Sequence, residues 1–197
     1  PDQVQVNAQT YMDQFFSIVD RERTEVRWQS EWFGKFSLAD VFNLTSRFTF
    51  ADMMEHETFA RRVAEHRPLS LMELLYPLLQ AYDSIAIDAD VEFGGMDQKF
   101  NILAGRQLQE RLGKPPQQAF LVPLLVGTDG RKMSKSFGNT IDLKAAPNDM
   151  YGKVMSLADN VIVKYFRLVT DVPDGDLAEI DSALKAGNLN RRDLKMQ

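Results

Sequence analysis

The run Ala119-Phe120-Leu121-Val122-Pro123-Leu124-Leu125-Val126 is almost continuously apolar. Such a segment suits a strand buried on both faces, as the strands of parallel sheets are. Upstream, Val91-Glu92-Phe93 leads into Gly94-Gly95 and predicts another strand, ending in a glycine turn. Between the two, Asp97-Gln98 opens a helix through Leu112, closed by Gly113, the residue favoured just past a helix end. Strand, helix and strand in that order predict an α/β unit built on a parallel sheet. Ligands of such sheets sit beyond the carboxyl ends of the strands. That marks the Gly94-Gly95 turn and the loop that follows Val126.

The loop runs from Gly127 to Asn139 and contains Lys132-Met133-Ser134-Lys135-Ser136. Its two ammonium groups are compact charges with three donors each. The glycines at its ends let the backbone bend and approach a ligand closely. Taken alone, it is either a mobile segment that closes over phosphate or a solvated surface loop.

Residues 3 to about 19 carry Ala8, Tyr11, Met12, Phe15, Ile18 and Val19 at near-helical spacing, and Glu25 to Ser30 alternates as a short strand would. Three capping-box patterns predict helix starts at Ser37, Thr49 and Ser70, with Asp40, Asp52 and Glu73 three residues on. The middle helix carries Met53, Met54, Phe59 and Val63, which suit either a subunit surface or ordinary core. From Pro147 onward the pattern is helical.

The helix that opens at Ser70 is rich in leucine, yet Tyr76, Gln80 and Asp83 recur at i, i+4 and i+7 along one stripe. A phenol, an amide and a carboxylate there suit a small zwitterionic or hydroxyl-bearing ligand, or else form the solvated face of an amphipathic helix. Pro77 is expected in a tolerated early position.

Hydrophobic residues make up 44% of the 197, enough for a sizeable core, and no run approaches a membrane span. With no cysteine, disulfides and thiolate metal sites are excluded, which fits a cytoplasmic protein. His56 and His66 form no metal-ligand cluster and read as surface residues, so no metal site is expected. A net charge of −5 argues against general nucleic-acid adhesion but leaves room for a local patch. Arg191, Arg192 and Lys195 form one candidate, or a solvated helix end.

The blocks Tyr76-Pro77-Leu78-Leu79-Gln80-Ala81-Tyr82-Asp83, Gly94-Gly95-Met96-Asp97-Gln98 and Lys132 to Ser136, in this order, resemble the bacterial-type tyrosyl-tRNA synthetases of class I. The likeness spans essentially the whole chain. It implies the second half of a Rossmann-type catalytic domain over residues 1–145, with a helical connective and dimer insertion at about 37–75 and a KMSKS loop at 127–139. A truncated helical domain over 146–197 follows. It also implies ATP-dependent activation of L-tyrosine and its transfer to tRNA(Tyr), with Mg²⁺ accompanying ATP, no tightly bound cofactor, and a homodimer.

By resemblance, Asp83 accepts from the substrate phenol, and Tyr76 and Gln80 hold the α-ammonium. Gln98 approaches the substrate carboxylate. Asp97 holds the ribose, Gly95 gives the nucleotide room, and Leu124 and Leu125 offer backbone to adenine. Lys132 and Lys135 stabilise the departing pyrophosphate, within a loop of Lys132, Met133, Ser134, Lys135 and Ser136. Tryptophanyl enzymes share the fold and the lysine loop, and a non-catalytic binding or dimerisation module is the other alternative.

The family's His-x-Gly-His motif does not occur: His56 precedes Glu-Thr-Phe and His66 precedes Arg-Pro-Leu. Nor do the first Rossmann strand and the S4-type domain. The chain therefore reads as an interior piece, holding about half the active site and inactive alone.

Overall fold

The structure is a computed structural model that describes residues 2–196, leaving aside the side chains at 2, 3, 5 and 135. In chain order it contains helices α1 (Asp2–Phe15), α2 (Ser30–Phe33), α3 (Leu38–Thr45), α4 (Phe50–Met54), α5 (Glu57–Ala64) and α6 (Leu71–Ala86). Strand β1 (Val91–Gly95), helix α7 (Lys99–Arg111) and strand β2 (Gln118–Val122) follow. Helices α8 (Pro147–Met155), α9 (Ile162–Val169), α10 (Asp174–Lys185) and α11 (Arg191–Lys195) complete the chain. Two compact units result, one of Val26–Leu124 and one of Pro1–Glu25 with Leu125–Gln197.

In the Val26–Leu124 unit, β1 and β2 pair in parallel, with Phe93 opposite Phe120 and Gly95 opposite Val122. Helix α7 is the crossover between them and packs on both. The sheet is the one expected, but β2 is shorter than the apolar run. Pro123 has no N–H to continue the ladder. The strand is also not the buried one expected: Phe120 and Val122, with Val91 and Phe93 beside them, are exposed.

Helices α6 and α7 pack face to face, and Ala81, 0% exposed, and Ala104 keep that contact close. Gly105 lets it close further: a Cβ there would stand 2.6 Å from Ser84 Oγ and 3.0 Å from Gln117 Nε2. Leu44, Met53, Phe59, Leu78 and Leu108 fill the rest of this core. Met53 and Phe59 are thus ordinary core residues.

All three capping boxes form, at Ser37, Thr49 and Ser70, each with its acid bonded back to the cap N–H. The middle helix is two helices, because His56 turns out to be a cap. It is half-buried, its Nδ1 accepts from Thr58 N–H at 3.2 Å, and it stacks on Phe59. Only His66 is the exposed histidine expected. Pro77 lies inside α6, past its first turn, where it offers no N–H to the carbonyl of Glu73.

The strand expected at Glu25–Ser30 does not form. Arg27 and the Trp28 N–H both bond to Glu31, each at 2.7 Å, and the chain winds into α2. A strand needs a neighbouring strand to take up its backbone groups, and among the described residues the sheet pairs only β1 with β2.

In the other unit, Leu157, Val161 and Tyr165 form a core with Leu125, Val126 and Ile141. Tyr165 Oη donates to the Val126 carbonyl at 2.6 Å, which ties α9 to the base of the lysine loop.

Candidate active site

Helix α6 carries Tyr76, Gln80 and Asp83 in the Val26–Leu124 unit. Tyr76 is 63% exposed, whereas Gln80 and Asp83 are half-buried. Asp83 is held by two donors: Trp32 Nε1 reaches Oδ1 at 3.0 Å and Gln29 Nε2 reaches Oδ2 at 2.6 Å. Those donors are in place because Phe33 and Phe36 pack on Tyr82, the neighbour of Asp83, with ring centroids 5.7 and 4.8 Å away. Burial pushes the Asp83 carboxyl above its ordinary pKa. Hydrogen bonds from Gln29 and Trp32 oppose the rise, and the charge of Glu92 on β1 adds to it. Glu92 itself accepts from Ser84 Oγ at 3.0 Å and Gln117 Nε2 at 2.6 Å.

The Gly94-Gly95 turn ends β1, and a 3-10 turn, Met96–Gln98, leads into α7. A Cβ on Gly95 would stand 2.8 Å from both Asp97 Oδ1 and Leu124 Cδ2. The missing side chain therefore lets both residues approach the bare backbone of Gly95. Gln98 lies over Gly94, and its Oε1 accepts from Asn101 Nδ2 at 3.1 Å. A cleft of about 550 Å³ behind this turn is lined by Met96, Asp97, Phe100, His56 and Phe48. Neither Gln80 nor Asp83 lines it.

The lysine loop belongs to the other unit, as does Leu125, which packs on that unit's core. Val126 and Lys132 form an antiparallel bridge at the loop's base. Gly127 N–H donates to the Arg131 carbonyl at 2.7 Å and Gly130 turns the chain at φ 83°. Asn139, 3% exposed, organises what lies between. Its Nδ2 donates to Asp129 Oδ1 at 2.8 Å and to the Lys132 carbonyl at 3.2 Å, while its Oδ1 accepts from Ser134 N–H at 2.8 Å. Bonds from Asn139 and then Arg131 hold the Asp129 carboxyl down to about 2. Lys132 and Ser136 are exposed, and Met133 and Ser134 are half-buried. The side chain of Lys135 lies outside the described residues.

Sequence patterns missed Gln29 and Trp32, which carry no local motif and reach Asp83 only through the aromatic packing. Asn101, Asp129 and Asn139 were missed as well. Asp129-Gly130 and Gly138-Asn139 are readable as turn dipeptides, but their mutual bond is not. The candidate basic patch is mostly spoken for: Lys195 Nζ bonds the Leu157 carbonyl at 2.5 Å and Asp159 at 3.2 Å, and Arg191 pairs with Asp159 at 3.4 Å.

A family profile described as tRNA synthetases class I (W and Y) matches residues 1–195. The chain belongs to this family. Among its members, a tyrosine–tRNA ligase of Dehalococcoides mccartyi (strain CBDB1) is 54% identical over 195 residues, 98% of this chain and 49% of that protein. A tyrosine–tRNA ligase of Moorella thermoacetica is 50% identical over 196 residues, 99% of this chain and 48% of that protein. The chain spans about half the length of the curated relatives it matches. The fold matches a crystal structure of tyrosyl-tRNA synthetase with L-tyrosine from Archaeoglobus fulgidus. The TM-score is 0.75 at 23% identity, over 99% of this chain and 68% of that one. The class I synthetase fold that the resemblance implied is therefore present, and with it the parallel α/β unit expected from the pattern.

Proposed function

We propose that this chain is part of a longer tyrosine–tRNA ligase, which activates L-tyrosine with ATP to tyrosyl-adenylate and transfers it to tRNA(Tyr). The observation that carries this is the Asp83 carboxylate, half-buried and oriented by Trp32 and Gln29 one helical turn from Gln80. A carboxylate held this way accepts from a phenol and is left without that bond by an analogue lacking the hydroxyl. The names of the relatives at 46–54% identity support tyrosine over tryptophan.

Tyr76 and Gln80 would take the α-ammonium and Gln98 the carboxylate. Asp97 would hold the ribose beside Gly95, with Leu124 and Leu125 along the adenine. Activation is in-line attack of the tyrosine carboxylate oxygen on the α-phosphorus of ATP, with pyrophosphate leaving. Positioning and stabilisation of developing charge account for most of such catalysis. Lys132 and Lys135 would meet the leaving pyrophosphate, and Met133, Ser134 and Ser136 shape the loop around it. No group of three or more potential ligand residues forms among the described residues. A Mg²⁺ would arrive with ATP, held mostly by the nucleotide's phosphates and water.

On this reading residues 1–145 belong to the catalytic domain and 146–197 begin a helical one, in a cytoplasmic enzyme. No described helix is long and apolar enough to cross a membrane. A homodimer is supported by the apolar side chains that α3, α4 and α6 leave exposed, among them Phe42, Phe50, Leu71 at 79% and Met72.

The test is amino-acid-dependent ATP–pyrophosphate exchange on the full-length protein, with tyrosine against tryptophan and Lys135→Ala as control. Exchange with tyrosine alone, depressed in the variant, is expected. Exchange with tryptophan instead, or no exchange from a folded protein that still binds tyrosine, would overturn the proposal.

A further inference from the structure

Gln98 is the last residue of the 3-10 turn after β1, and Asn101 sits in the first turn of α7. Side chains in a helix lean toward its N-terminus, and Asn101 leans back onto Gln98. Its Nδ2 donates to Gln98 Oε1 at 3.1 Å, and its own Oδ1 is buried without a partner among the described residues. Asn101 is 8% exposed. A buried acceptor left unpaired is costly, and each case calls for a reason.

The reason lies in the two ends of an amide. Gln98 has an acceptor end, Oε1, and a donor end, Nε2. Asn101 occupies the acceptor end. Among the described residues nothing accepts from Nε2. Below, the Gln98 Cβ sits over Gly94, where an added Cβ would come within 3.2 Å of it. The side chain is thus pinned at its stem and at one end of its amide. A carboxylate only accepts, so it needs the donor end. With the opposite pairing, Asn101 Oδ1 would take Gln98 Nε2, and Oε1 would face the carboxylate as a second acceptor.

We propose that Asn101 is a positioning residue that fixes the Gln98 amide with its N–H₂ toward the α-carboxylate of the amino-acid substrate. This rests on the assignment of Gln98 as the carboxylate contact. Asn101 accepts the unpaired Oδ1 as the consequence of keeping its donor on Gln98. It touches no substrate atom itself.

The experiment measures equilibrium binding of L-tyrosine and of tyramine, which lacks the carboxylate, to the full-length protein and its Asn101→Asp, Asn101→Leu and Gln98→Ala variants. Asn101→Asp leaves only acceptors facing Gln98 and draws Nε2 inward. Loss of one oriented hydrogen bond predicts tyrosine binding about tenfold weaker, with tyramine unchanged within about twofold. Asn101→Leu carries no charge, frees the amide to turn, and should show the same selectivity with a smaller loss. Gln98→Ala should also discriminate. If Gln98→Ala weakens both ligands equally, the Gln98 assignment fails and the proposal with it. If Gln98→Ala discriminates and both Asn101 variants weaken the two ligands equally, or neither, only the positioning role is overturned.

Discussion

The indole N–H of Trp32 donates to Asp83 Oδ1 at 3.0 Å across 51 positions of sequence. Two side chains with no local relation thereby set the orientation of one carboxylate, and the Phe33, Phe36 and Tyr82 rings keep the donor's segment against α6. Trp32→Phe keeps an aromatic ring and removes the donor. Tyrosine binding by the full-length protein should weaken about tenfold, the typical worth of one such bond to a charged group. Titration calorimetry checks this, and unchanged affinity would show that Gln29 suffices.

Asp83 is set against stability. Its pKa is raised in the folded state, so the folded chain favours the protonated acid. The sign follows: its contribution is fully present below the ordinary value of 3.8 and is lost as pH rises through the folded pKa. Asp83→Asn removes that titration. The variant should gain melting temperature relative to the parent as pH rises from 4 to 7, while losing tyrosine binding. Parallel melting curves across that range would refute the first half.

Asn139 holds the lysine loop through both ends of its amide. Asn139→Ala strips three bonds from a buried site, and a loss of about 1–3 kcal/mol is expected. Trypsin should then cut faster after Arg131 and Lys132. The pH profile should change too. Asp129, held down to about 2 against an ordinary 3.8, contributes stability that is present above 3.8 and lost as pH falls through about 2. Without Asn139, the strongest of its partners, the loss should come at higher pH. Circular dichroism melts between pH 2 and 5 measure this.

Gly105→Ala sets two effects against each other. Alanine in a helix interior gains about 1 kcal/mol over glycine. Overpacking a core costs about 1–3 kcal/mol. The obstructing atoms, Ser84 Oγ at 2.6 Å and Gln117 Nε2 at 3.0 Å, are both bonded to Glu92 and cannot yield cheaply. Net destabilisation in urea is expected, with partial recovery in Gly105→Ala combined with Ser84→Ala.

Periodic and local features were legible in the sequence because their physics is local. The capping boxes at Ser37, Thr49 and Ser70 each close within three residues. The strand, helix and strand around α7 follow from apolar spacing and glycine punctuation, and the motif blocks named the family. Long-range geometry was not legible. Glu25–Ser30 has the alternation of a strand, but no strand pairs with it among the described residues, and Glu31 winds it into α2 instead. Ala119–Val126 reads as a buried strand, but Pro123 ends the ladder and one sheet face stays exposed.

The sequence by itself determined the capped helix starts, the strand–helix–strand unit, the family and the residue types of the candidate site, since each depends on near neighbours or on a motif. Only the tertiary structure decided that Trp32 and Gln29 hold Asp83, that Asn101 takes one end of Gln98, and that Asn139 ties the lysine loop. Those bonds join residues through packing, and a hydrogen bond's partner depends on where the fold delivers both groups.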